Sequence, residues 1–162
     1  MRRSAVTMLA LAAALTGCAS GGPGAVTPAV PTSVAAPARK TLTVEQAGAA
    51  YLKAVAEPNR ITSALGTEGG RRNPRMDRVR ALGRQMQTAD RRFLDFLTRT
   101  AWPPEVQSAI DALAEDTAAG ISRDARIANA KSMADIPPEA RTGGAAQLVR
   151  AKLGLDVVPT SG

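Results

Sequence analysis

No histidine occurs in the 162 residues, Cys18 is the only cysteine, and aromatic residues make up 2% of the chain. Each scarcity excludes something. Without imidazoles and with one thiol, the ligands that zinc and most transition metals prefer are missing. The commonest general base is missing too. A lone cysteine cannot close an internal disulfide. Four aromatic rings are too few for a sugar-binding platform or for stacked nucleic-acid bases. The acidic residues do not show calcium-loop spacing. Gly69-Gly70-Arg71-Arg72 lacks the lysine and spacing of a nucleotide-binding loop. No catalytic residues, metal or cofactor, and no enzymatic activity, are therefore expected.

What is present begins with an address. Arg2 and Arg3 precede an apolar stretch from Ala5 to Leu15 that only Thr7 interrupts. The stretch is too short for a bilayer span, which needs about 20 apolar residues, and it reads as a secretory signal core. Leu15-Thr16-Gly17-Cys18 follows and resembles the lipobox of bacterial lipoproteins. Small residues at Thr16 and Gly17 admit a peptidase to the bond between Gly17 and Cys18. The Cys18 thiol is the nucleophile that accepts a diacylglyceryl group, and multiple acyl chains give stable anchoring. The expected product is exported and lipid-anchored to the outer face of the cell membrane, with membrane lipid as its first partner.

Residues 1–17 are thus expected to be removed, and 18–41 to form a lipidated, disordered tether. Pro23, Pro28, Pro31 and Pro37, with Gly, Ala, Ser and Thr between them, offer no periodic apolar face. From 42 to 155 the spacing turns helical, and 156–162 reads as a flexible tail. Thr43 and Gln46 form a capping-box pattern, with Leu42 as a hydrophobic staple. Val44, Ala47, Tyr51, Val55, Pro58, Ile61 and Leu65 then mark one helical face up to Gly66 and Gly69-Gly70. Pro58 should kink this helix or split it near Glu57.

A second helix is expected to open at Asn73-Pro74 and to bury Met76, Val79, Leu82, Met86, Phe93 and Leu97. The third starts at Trp102-Pro103-Pro104-Glu105 and carries Val106, Ile110, Leu113, Thr117, Ile121 and Ala128 on its stripe. Trp102 should cap the core at the turn, and Tyr51, Phe93 and Phe96 should be core or half-buried. The last helix, entered from about Pro138 and weakened by Gly143-Gly144, runs through Val149 and Leu153. Gly154-Leu155 ends it as a Schellman cap. No segment alternates with the period of a strand. Short connections favour antiparallel neighbours, so the expected fold is all-α, a small bundle of three to four antiparallel amphipathic helices.

Charge is concentrated. Without Arg2 and Arg3 the chain carries 19 Lys and Arg against 14 Asp and Glu. Residues 68–99 hold nine of those arginines against four carboxylates, which accounts for the whole net charge of the remainder. On a helical projection Arg80, Arg84 and Arg91 lie opposite the apolar face, with Arg92 and Arg99 beside them. This stripe is a candidate contact for an anionic surface or an envelope protein. Read the other way, it is a solvated face partly neutralised by Glu105, Asp111, Glu115, Asp116 and Asp124 of the third helix. Nucleic acid is not an expected partner for an exported chain whose basic residues have no interleaved aromatics.

The run Tyr51 to Arg60, the Trp102-Pro103-Pro104-Glu105-Val106 helix start and Leu153-Gly154-Leu155 resemble a set of small helical lipoproteins of actinobacteria. The similarity covers the lipobox and most of residues 42–155. It implies export, lipidation and a helical bundle, and it implies no activity or site residues. Gly143-Gly144 departs from the smoother last helix of that pattern.

Overall fold

The computed structural model describes residues 40–138 and 143–156. The signal segment, Gly17, Cys18, the tether up to residue 39 and the tail beyond Asp156 lie outside the described residues, as do residues 139–142. The described chain forms α1 (Val44–Gly69), α2 (Met76–Arg99), α3 (Pro104–Asn129) and α4 (Gly143–Lys152), with one 3-10 turn at Met133–Asp135. No strand occurs among the described residues. The fold is the all-α bundle that the periodicity predicts.

Local chemistry sets most of the helix ends. The Thr43 hydroxyl accepts from the Gln46 N–H at 3.2 Å, and the Thr43 N–H donates to Gln46 Oε1 at 3.1 Å, completing a capping box. α1 then runs unbroken through Pro58, so the proline does not split it. α3 starts with Pro104 in its first turn, where the missing N–H costs nothing. At the chain's far end Gly154 adopts φ +65°, Leu155 N–H donates to Arg150 O at 2.9 Å, and Gly154 N–H donates to Ala151 O at 3.2 Å. That is the Schellman pattern, with glycine in the left-handed region where a side chain would be strained.

The start of α2 differs from expectation. Asn73-Pro74 does not open it; the helix begins at Met76 behind Arg75, whose own side chain makes no cap bond. The reason lies in the preceding helix. Glu68 Oε1 accepts the Arg75 N–H at 3.0 Å, so a carboxylate from α1 stands at the positive end of α2.

Neighbouring helices are antiparallel. Tyr51 of α1 meets Phe93 of α2, whereas Ile61, ten residues later, packs with Leu82. Between α2 and α3, Gly83 lies against Ala128 while Asp90 lies against Gly120. Two unequal cores result. At one end Tyr51, Phe93, Leu97, Trp102, Val106, Ile110, Val149 and Leu153 are buried together. At the other end the cluster is only Ile61, Leu82, Met86 and Ala89. Val79 and Ile127 are also buried toward this second end. Burying one large aliphatic or aromatic side chain contributes about 1.5–3 kcal/mol, so the first end, which holds more of them, is the better secured. Trp102 closes it as expected: its indole N–H donates to Leu97 O at 2.7 Å and its ring meets Phe96 edge-on at 5.3 Å. The chain is fastened at this end by Leu42 N–H donating to Ala101 O at 3.0 Å and Lys152 Nζ donating to Glu105 O at 3.0 Å.

Candidate functional site

The arginines predicted to form one stripe do not share one role. Arg80 is half-buried and its guanidinium donates to Ala130 O at 3.4 Å, where it serves a carbonyl just past the end of α3. Part of its donor capacity is thus taken up within the domain. The helical projection could not show this, because it places residues around one axis and says nothing of how far a neighbouring helix reaches. Arg92 remains on the surface but points to α1, where it pairs with Glu57 Oε2 at 3.8 Å. Arg99 pairs with Asp95 at 2.6 Å within its own helix. Arg71 and Arg75 both meet Glu68 at 3.4 Å.

Arg84 and Arg91 are exposed and have no ion pair among the described residues. They stand seven residues apart on α2, about 10 Å along the axis at the usual helical rise. Arg72 and Arg78 likewise lack an ion pair among the described residues. None of Arg80, Arg84, Arg91 and Arg92 is ion-paired with a carboxylate of α3.

An open groove of about 540 Å³ runs between α1 and α2, lined by Glu57, Arg60, Ala81, Arg84, Gln85 and Thr88. Its one carboxylate, Glu57, is already engaged by Arg92. Arg60 and Arg84 therefore give the groove a positive balance, and Gln85 and Thr88 add neutral hydrogen-bonding groups. Such a surface can hold an anionic group by charge and hydrogen bonds. Among the described residues no cluster of three or more metal-ligating side chains occurs, and no helix is long and apolar enough to cross a membrane.

Two carboxylates have environments that the sequence did not disclose. Glu68 is buried, and its pKa is held below the usual range, first by the Arg75 backbone N–H and then by the Arg75 side chain. It fixes the turn between α1 and α2. Asp124, expected as a solvated partner of the arginine stripe, is instead 4% exposed in the seam between α2 and α3. The correction has a simple origin, since Asp124 continues the Thr117 stripe at helical spacing and so turns inward. Loss of water raises its pKa to about 7, the nearby carboxyl of Asp90 adds to the rise, and Arg123 opposes it. Asp90 is also raised, chiefly by burial.

Gly17 and Cys18, the expected cleavage and lipidation residues, lie outside the described residues. No protein family model matches the chain, and no curated protein or solved structure matches it either.

Proposed function

We propose that this chain is an envelope lipoprotein, anchored through acylated Cys18, whose helical domain is a non-enzymatic module that binds an anionic partner protein. The observation that carries the reading is the pair Arg84 and Arg91, exposed and without ion pairs among the described residues, beside a groove that Arg60 makes positive. The lipobox supplies the anchor, and the lack of imidazole and of a second thiol supports a binding role over catalysis. An alternative is a structural element that rests α2 on anionic lipid or wall polymer. The unpaired Arg72 and Arg78 favour it, since they extend the positive charge beyond the groove. Each basic side chain near an anionic membrane contributes about 1 kcal/mol.

In-cell crosslinking with mass spectrometry tests the choice, comparing native lipoprotein with an Arg84→Glu, Arg91→Glu variant. Arg80 stays untouched because it is committed to Ala130. A specific envelope protein captured by the native form and lost in the variant supports the module. No protein captured by either, together with binding to anionic vesicles that weakens steeply with salt, transfers the reading to the alternative. Turnover of an envelope substrate by the purified protein, abolished by changing one carboxylate, overturns both.

A further inference from the structure

The lightly packed end of the bundle contains a feature that a binding role does not require. Asp124 projects from α3 into the seam, and its Oδ2 is buried with no hydrogen-bond donor among the described residues. Asp90 approaches from α2 and lies against Gly120, where a Cβ would come within 3.7 Å of its Oδ2. Asp90 thus meets α3 one turn before Asp124, in a helix–helix interface that elsewhere closes on Gly83 against Ile127 and Ala128. Two ionised carboxylates cannot hydrogen-bond to each other, since both only accept. One proton between them supplies the missing donor and removes the repulsion of like charges in a poorly solvated place.

We propose that Asp90 and Asp124 share a single proton across the α2–α3 seam, making the thin end of the bundle a pH-sensitive joint that loosens as pH rises. The charged groups that act on Asp124 are Asp90 from α2, which raises its pKa, and Arg123 from its own helix, which lowers it. Arg123 belongs to a cleft of about 190 Å³ that also includes Asp116 and Arg126, with Pro137 and Pro138 as its uncharged wall. Arg123 Nε is itself buried without a partner. A guanidinium that does not bond to Asp124 cannot stand in for the proton.

The sign follows from linkage. When the seam opens, both aspartates return to water and to their ordinary value of 3.8. Between that value and the neutral range in which the closed pair keeps its proton, opening releases one proton. The opening equilibrium therefore grows about tenfold per pH unit over this window and levels off above it. The proposal is independent of what the basic face binds.

Hydrogen exchange on the full-length lipoprotein between pH 5 and 7.5, corrected for base-catalysed intrinsic exchange, is the test. Amides of 82–90 and 117–128 should lose protection by up to about tenfold per unit between pH 5 and 7. Amides of 93–97 and 106–113 should change little. Asp124→Asn, which keeps a donor at the seam, should abolish the difference between the two ends. Equal change at both ends, or a variant profile parallel to the native one, overturns the proposal. Should Asp124→Asn fail to fold, the carboxyl carbon resonances of the native protein decide. One aspartate titrating near neutrality upholds the shared proton, and all aspartates titrating below pH 5 refute it.

Discussion

Gly83 and Gly66 offer the same substitution with opposite expected outcomes. Both lie in helix interiors with negative φ, so alanine at either gains about 1 kcal/mol of helix propensity. Around Gly66 nothing lies within 4 Å of a new Cβ, and the gain should appear almost whole. At Gly83 the Cβ would stand 2.7 Å from Ala128 N, 2.9 Å from Ile127 Cγ2 and 3.1 Å from Ala128 Cα. Two of those three atoms are backbone, so no rotamer change relieves the clash and α2 must move away from α3. Forcing a methyl into a closed contact costs about 1–3 kcal/mol, and with two contacts under 3.0 Å the upper part of that range, about 2–3 kcal/mol, applies here, which outweighs the propensity term. Gly83→Ala should therefore destabilise by about 1–2 kcal/mol, and Gly66→Ala should stabilise by about 0.5–1 kcal/mol. For a domain of this size the two melting temperatures should separate by roughly 6–12 °C, at about 4 °C per kcal/mol. Urea denaturation followed by the fluorescence of the only tryptophan, buried Trp102, gives the free energies directly. Gly83→Ala as stable as Gly66→Ala would show that the helices do not touch at Gly83, and the description of that seam would fall with it.

Much of the fold was legible because local signals agreed with one another. Thr43 with Gln46, Pro104 at a first turn, and Gly154 before Leu155 are short-range devices whose geometry depends on a few neighbouring residues. The apolar stripes were legible for the same reason, since a period near 3.6 is a property of one helix. Pro58 was only half legible. Its ring removes one bond, but whether the helix survives depends on packing from α2, which the local pattern does not contain. The start of α2 was misplaced because a carboxylate from another helix, Glu68, took the capping role that Asn73 was expected to fill.

The candidate site was legible as composition and illegible as geometry. Nine arginines in one segment were visible, and two of the four assigned to the contact face, Arg84 and Arg91, remain free of ion pairs among the described residues. Arg80 and Arg92 were spent on Ala130 and Glu57, partners 50 and 35 positions away, which no projection of α2 alone can reveal. Asp124 was misread for a different reason. A carboxylate on an otherwise apolar stripe is normally assigned to the rim of that stripe, because burying a charge is costly. Here the cost is lowered by facing a second carboxyl that can share a proton. Asp90 sits beside the apolar face of α2 at the matching height, and that coincidence across two helices was the only signal available.

Trp102→Phe keeps most of the buried ring but removes the donor to Leu97 O, one of the last-turn carbonyls of α2. It should cost about 1–3 kcal/mol by urea denaturation followed by circular dichroism, and a loss under 0.5 kcal/mol would deny the bond its role. Glu68 gives the remaining prediction, and its sign opposes that of the aspartate pair. Its folded pKa is lowered from 4.5, chiefly by the Arg75 backbone N–H. Below that ordinary value the unfolded chain binds the proton more readily, so this group's stabilisation is present above it and is lost as pH falls through the folded pKa. Asp135 adds to the same acid limb, its carboxyl lowered first by the Ser132 and then by the Lys131 backbone N–H. The Asp124 carboxyl, raised to about 7, instead makes stability fall as pH climbs from 3.8 toward neutrality. The native stability profile should therefore peak on the acid side of neutrality. Glu68→Gln should flatten only the acid limb in urea midpoints taken from pH 2 to 8, whereas Asp124→Asn should flatten only the limb above the peak. Substitutions that moved both limbs together would mean that neither carboxylate titrates as its surroundings require.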